Sequence, residues 1–160
     1  MQATHNTLSE NVRTQTAELL NKQHLAAAID LHGQLKQANW NVRGPNFIAV
    51  HELFDKVAGE AESYSDLLAE RAAGLGAVAE GTVQVATERS FLIPYPLRIA
   101  DENEHIFAVA AALAAFGQSA REAIGQSATI GDADTADLFT EISRGVDRHL
   151  WLVESHVAPR

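Results

Sequence analysis

Apolar residues recur every three or four positions along most of the chain, a period that is typical of amphipathic helices. No segment alternates apolar and polar residues in the way that a half-buried β-strand does. The pattern predicts four long helices, over approximately residues 7–42, 46–73, 99–127 and 134–157. We therefore expect an all-α domain.

Capping and turn residues indicate where the first two helices begin and end. Thr7-Leu-Ser-Glu10 is a capping-box pattern, which predicts Thr7 as the N-cap of the first helix. Gly44-Pro45 is expected to end that helix, and Gly74 is expected to end the second.

A long connection, residues 77–98, separates the second and third helices, and a short helix is expected within it near residues 82–88. Four long helices with one long crossover are the arrangement of the ferritin-like four-helix bundle. A chain of 160 residues is the size of one such domain. We predict a single domain over residues 1–160, in which residues 1–7 form a flexible N-terminal tail.

Composition and charge restrict the function. The chain has 21 acidic and 12 basic residues and a formal charge of −9, which favours cations over phosphate backbones as partners. It has no cysteine, which excludes disulfides and thiolate metal sites. The longest apolar run, residues 106–116, is shorter than the ~20 residues that cross a bilayer, and the start of the chain lacks a signal-peptide pattern. We expect a cytoplasmic protein with no membrane partner.

The second helix carries four residues of the types that bind metal ions. His51 and Asp55 are four residues apart and share one helix face, and Asp66 and Glu70 repeat this spacing. Asp55 and Asp66 are three turns apart, so both pairs lie on one stripe. One metal ion cannot join the two pairs within a chain, because eleven residues of helix span ~16 Å.

The two pairs are symmetric about the middle of the helix. His51 and Glu70 are equally far from the peptide bond between residues 60 and 61, and so are Asp55 and Asp66. Two copies packed antiparallel across that point would form two equivalent sites, each with one imidazole and three carboxylates. Small side chains are expected at the crossing, namely Ala58, Gly59 and Ala61. Carboxylates mixed with imidazole suit iron, manganese or zinc, while the alternative is a solvated acidic face.

Four stretches of the chain match a known pattern: QANWNVRGPNFIAVHELFD at 37–55, SDLLAERAAGLG at 65–76, TVQVATERSFLIPYPLRIADENEH at 82–105 and GDADTADLFTEISRGVDRHLWLVESHV at 131–157. In these stretches the chain resembles the Dps family, the miniferritins of the ferritin-like superfamily. The resemblance implies a hollow shell of twelve subunits, built from two-fold dimers, that stores iron as a ferric mineral. It also implies a ferroxidase that oxidises Fe²⁺, preferentially with hydrogen peroxide, and so limits oxidative damage. One subunit would supply His51 and Asp55, and its partner Asp66 and Glu70.

One position departs from the family pattern. The family usually has histidine before the tryptophan of the first-helix motif, whereas this chain has Asn39-Trp40. An amide oxygen is a poorer donor to Fe²⁺ than imidazole, so we expect slower and weaker iron oxidation with assembly intact. His32 lies ~10 Å along the helix from position 39 and is not expected to substitute. The alternative is a shell that binds other divalent metals such as zinc.

Three acidic residues near the start of the fourth helix are candidates for a pore. Acidic residues there are also favoured by the helix dipole, which is the alternative explanation. The resemblance implies that some of them line a negative three-fold pore that admits Fe²⁺. The candidates are Asp132, Asp137 and Glu141, of which Asp137 and Glu141 share a helix face.

Other signals have structural explanations or weaken a competing function. The Glu102-x-x-His105 spacing occurs in di-iron bundles, but without a second copy it is expected to be structural. Trp40 and Trp151 are expected to be packing residues. Family members often compact DNA through basic tails, but the first twenty residues hold only Arg13 and the last ten only Arg160. DNA binding through the tails is therefore not expected.

Overall fold

The computed structural model describes residues 1–157 and contains the four long helices that the sequence predicts. The first bundle helix comprises α1 (Glu10–Leu19), a π-helical turn (Leu20–His24) and α2 (Leu25–Asn41); it is followed by α3 (Phe47–Gly74), the short crossover helix α4 (Val83–Arg89), α5 (Glu102–Ile130) and α6 (Ala133–Glu154). Over these residues no β-strand forms beyond a single bridge between Arg43 and Asp101. The all-α, ferritin-like prediction is confirmed.

Two helices begin later than the sequence predicts, because the residue that caps each of them lies further along the chain. The predicted cap Thr7 is wrong, because Ser9 is the N-cap of α1 and its Oγ accepts a hydrogen bond from the Val12 amide at 3.3 Å. Just before it, Asn6 Oδ1 accepts a hydrogen bond from the Leu8 amide and holds that segment in a turn. The third long helix likewise begins three residues later than predicted, since Asp101 caps it.

The bundle core lies between two helix pairs, α2 with α3 and α5 with α6. Its largest fully buried side chains include Phe54, Phe139, Leu31, Leu35, Leu68 and Leu113. Burial of each contributes ~1.5–3 kcal/mol relative to exposure. The prediction that Trp40 and Trp151 are packing residues is wrong for the subunit, because they are 68% and 63% exposed. None of the helices within residues 1–157 is both long and apolar enough to cross a membrane.

Hydrogen bonds hold the crossover against the bundle. His105 Nε2 lies 3.1 Å from the Ile99 carbonyl oxygen, which can only accept, so Nε2 carries the proton. Nδ1 then accepts from the Tyr95 hydroxyl at 2.6 Å. Glu102 accepts hydrogen bonds from the backbone and side-chain nitrogens of Asn46, at 3.0 and 2.9 Å. The Glu102-x-x-His105 spacing therefore serves the fold.

The π-helical turn places His24 in the core, where it is 2% exposed. Its Nδ1 lies 3.2 Å from Ser119 Oγ, and its ring meets Phe139 edge-on at 4.9 Å between centroids. Its Nε2 is buried and has no hydrogen-bond partner in the described part of the chain, residues 1–157. Burial lowers the pKa of His24 from 6.5 to about 4.

We expect the free energy of unfolding to fall as the pH drops from about 6.5 to about 4, because His24 then takes up a proton only in the unfolded chain. The depressed pKa corresponds to a loss of about 3 kcal/mol across this window. Thermal unfolding at several pH values measures it, with His24→Gln as the non-titrating comparison. Burial also lowers the pKa values of His105 and His149, so the difference between the two proteins isolates His24. Parallel pH profiles for both proteins would contradict the assignment.

Candidate metal centre

The four predicted ligands of α3 lie on the outer surface of the bundle. Asp55, Asp66 and Glu70 are exposed and His51 is half-buried. The opposite face of α3 is buried in the core and is formed by residues such as Val50, Phe54, Val57 and Leu68. Because the apolar residues occupy that face, the ligand stripe is directed away from its own subunit.

His51 is oriented so that one ring nitrogen is free. Its Nδ1 lies 2.7 Å from the backbone carbonyl oxygen of Asn39, which can only accept a hydrogen bond, so Nδ1 is the protonated nitrogen. The ring also stacks on Phe47, with 5.0 Å between centroids. Nε2 therefore carries the lone pair that a metal ion can bind, and the hydrogen bond at Nδ1 fixes that tautomer.

Asn39 uses both ends of its amide, the nitrogen toward α3 and the oxygen within α2. It is 3% exposed. Its Nδ2 donates to the His51 carbonyl oxygen at 2.8 Å, and its Oδ1 accepts from Lys36 Nζ at 3.2 Å. Nδ2 is also 3.1 Å from His51 Nδ1, but that nitrogen already donates elsewhere and cannot accept. The amide is thus used within the subunit.

Lys36 also belongs to this centre, although it was not among the predicted ligands. Its Nζ lies 2.7 Å from Asp55 Oδ1. The hydrogen bond and the positive charge of Lys36 hold the pKa of the Asp55 carboxyl below its usual value. The spacing of Lys36 and Asn39, three residues apart on α2, was the available signal, because such residues share a helix face.

Within one subunit the two predicted ligand pairs remain apart. Among residues 1–157 no three His, Asp or Glu side chains are close enough together to hold a metal ion. The His51–Asp55 pair and the Asp66–Glu70 pair are separated along α3, so neither pair alone provides three ligands. The joining of the two pairs by a second copy stays a prediction.

The residues at the predicted crossing point differ from expectation. Ala58 and Ala61 are each 1% exposed and pack inside their own subunit, so the prediction that they line the crossing is wrong. His32 Nδ1 lies 2.9 Å from the Ala58 carbonyl oxygen, so His32 is hydrogen-bonded within the subunit. Gly59 is exposed, and a Cβ there would have no atom of residues 1–157 within 4 Å beyond its own helix backbone and chain neighbours. Only Gly59 of the three is available to a neighbour.

The acidic residues of α6 fall into two groups. Asp132, a predicted pore residue, is 1% exposed and caps α6 by accepting from the backbone and hydroxyl of Thr135. Arg71 Nη2 donates to both of its carboxylate oxygens at 2.8 Å. This corrects the pore assignment of Asp132, because its carboxylate is buried and ion-paired. Asp137 and Glu141 are exposed on α6.

Comparisons with known proteins agree on one family. The family model described as a ferritin-like domain matches residues 17–159. A DNA protection during starvation protein from Agrobacterium fabrum is 39% identical over 96% of this chain and 94% of its own.

Solved structures show the same relationship in three dimensions. DpsC from Streptomyces coelicolor superposes with a TM-score of 0.92 at 28% identity and covers 99% of this chain and 92% of its own. Dps from Microbacterium arborescens, solved in a high iron form, has a TM-score of 0.87 at 33% identity and covers 96% of this chain and 99% of its own. The chain therefore belongs to the ferritin-like family and, within it, to the Dps proteins, which are iron-sequestering miniferritins.

Proposed function

We propose that two copies of the chain pair antiparallel through the exposed stripe of α3 and oxidise Fe²⁺ between them. His51 and Asp55 of one subunit would then face Asp66 and Glu70 of the partner subunit. The two-fold axis exchanges the roles of the two subunits, so the dimer has a second, equivalent site. The observation that carries this proposal is the position of all four ligands on one stripe of α3 outside the core, where Asp55, Asp66 and Glu70 are exposed and His51 is half-buried. The free Nε2 of His51 supports it, since that nitrogen has no hydrogen-bond partner among residues 1–157.

The ligand set suits iron as substrate. Carboxylate oxygens stabilise Fe³⁺ more than Fe²⁺, so three carboxylates favour oxidation. With hydrogen peroxide as the oxidant, two Fe²⁺ ions, bound together or in succession, each give up one electron, and the peroxide takes up these electrons and two protons to form two water molecules. The high iron form of the Microbacterium arborescens relative supports iron as the metal. Zinc, which accepts the same ligands, is the alternative occupant.

Storage requires an enclosed space and an entry path for Fe²⁺. We infer a shell of twelve subunits, in which Asp137 and Glu141 from symmetry-related subunits line a negative pore. Both carboxylates are exposed and lie one turn apart on α6. A ring of such groups concentrates divalent cations at its mouth.

The mass of the native assembly tests this proposal. We expect a dodecamer whose mass increases on addition of Fe²⁺, and increases faster with hydrogen peroxide than with air. Asp137→Asn combined with Glu141→Gln is expected to slow uptake several-fold at low salt and leave the assembly intact, because the attraction of the pore for Fe²⁺ is reduced.

Asp134→Asn is the matched control for the pore variant, since it removes an exposed charge from the first turn of α6 outside the proposed pair. Equal uptake rates in all three proteins would rule out the pore. An assembly that gains no iron with either oxidant would rule out the storage function.

A further inference from the structure

The ammonium group of Lys36 occupies a cation position beside the His51–Asp55 half-site. Nζ is 2.7 Å from Asp55 Oδ1 and 3.2 Å from Asn39 Oδ1. It also lies 5.8 Å from the ring centroid of Trp40. The Lys36 side chain is 26% exposed, so these contacts hold much of it against the subunit. Two oxygen ligands and an aromatic ring thus surround one positive charge.

Asn39 holds this lysine and is not positioned as a metal ligand. The amide is buried, its Nδ2 is bound to the His51 carbonyl and its Oδ1 faces Lys36. To reach a metal ion in the interface, the amide oxygen would have to give up its hydrogen bond to Lys36. The residue that departs from the family pattern therefore stabilises a charge in the site.

We propose that Lys36, seated by Asn39, supplies the second positive charge of the centre, so that each intersubunit site binds one divalent ion and not two. This inference rests on the proposed pairing of α3 stripes. In that pairing Asp55 of one subunit and Asp66 and Glu70 of the partner subunit contribute three negative charges. The ammonium group neutralises one of them, and a single divalent ion balances the remaining two.

The same geometry predicts how substitutions at the two positions combine. Asn39→His alone introduces an imidazole, but Lys36 can still pair with Asp55 at 2.7 Å and keep the second ion out. Lys36→Gln alone removes the competing charge, but position 39 then still carries the Asn39 amide and no imidazole ligand. Only the double variant has both a free carboxylate and an added imidazole. The effects are therefore non-additive.

Titration of the assembled protein with Co²⁺ tests the inference. Co²⁺ replaces Fe²⁺ because it is not oxidised when no peroxide is added. Stoichiometry is measured by calorimetry and by native mass, and visible absorption reports the ligands. We expect one ion per site in the unmodified protein, in N39H and in K36R, which retains the charge. K36Q is expected to bind one ion roughly fivefold more tightly, since a repelling charge several Å away is removed. The double variant is expected to bind two.

A second ion in the unmodified protein or in N39H would overturn the inference, and so would a double variant that still binds one. An equal Co²⁺ affinity for K36Q and the unmodified protein would also overturn it. Asp66→Ala separates this failure from that of the proposed function. If Asp66→Ala leaves Co²⁺ binding unchanged, the intersubunit site itself is wrong; if it abolishes binding while the stoichiometries disagree, only the role of Lys36 is wrong.

Discussion

Subunits carrying both His51→Ala and Asp55→Ala are expected to lose tight metal binding, and so are subunits carrying both Asp66→Ala and Glu70→Ala. When the two variants are co-expressed and assemble together, binding should return. In a mixed dimer one interface site receives all four ligands and the other receives none. Random pairing makes half of the dimers mixed, so about a quarter of the sites are restored.

Co²⁺ bound per subunit in the co-expressed assembly, compared with each variant alone, measures this recovery. The control is a mixture of separately assembled variants, in which subunits have not exchanged and no recovery is expected. A site contained within one subunit would give no recovery by either route. That outcome would overturn the shared site while leaving the family assignment in place.

Asp132→Ala is expected to cause the largest loss of stability among the acidic residues, about 3 kcal/mol. The substitution removes the N-cap of α6 and leaves Arg71 without its partner, and loss of one member of a buried ion pair costs ~3–5 kcal/mol. Arg71 is 20% exposed and partly hydrated, which places the estimate at about the lower end of that range.

Thermal or urea unfolding of the assembled protein measures the effect, with Asp134→Ala as the matched control. Asp134 is an exposed acid in the first turn of the same helix, and its loss should cost at most about 1 kcal/mol. A similar loss for both variants would show that the Arg71 contact contributes little.

The Asp132 contacts also have a pH signature. Burial alone would raise the pKa of Asp132, but hydrogen bonds from Thr135 and Arg71 outweigh it and hold the pKa below the usual value. The carboxylate therefore stabilises the fold at pH values above about 4, the ordinary range of an aspartate pKa. This stabilisation is lost as the pH falls through the lower pKa of the folded state.

The long helices were predictable because the apolar period persists over many turns, whereas their ends depend on single side chains. The residues around Thr7 fit the capping-box pattern. Ser9 nevertheless caps the helix, because the turn that Asn6 holds extends to Leu8 and the helix begins only after it. Asp132 illustrates the same limit for the site. Its sequence context favours an exposed helix start, and only the approach of Arg71 from α3 shows that it is buried.

The ligand stripe of α3 was predictable for a different reason, since it depends on spacing within one helix. The contributions of Lys36 and the His51 tautomer were not, because both require the register between α2 and α3. The alternation of buried and exposed residues on α3 also showed that Ala58 and Ala61 face the core of their own subunit. Ala58 and Ala61 are small, but small residues suit a core contact as well as an interface.

The π-helical turn at Leu20–His24 sets the rotational phase between the two halves of the first bundle helix. A turn with one extra residue rotates one half relative to the other by about 100°, the angle that one residue subtends in an α-helix. Deleting a residue there would leave a regular helix but twist α1 about its axis, so that Thr16 and Ala17 would swing out of the core. Length changes in this segment are therefore constrained, even though its backbone geometry is the least regular of any bundle helix among residues 1–157.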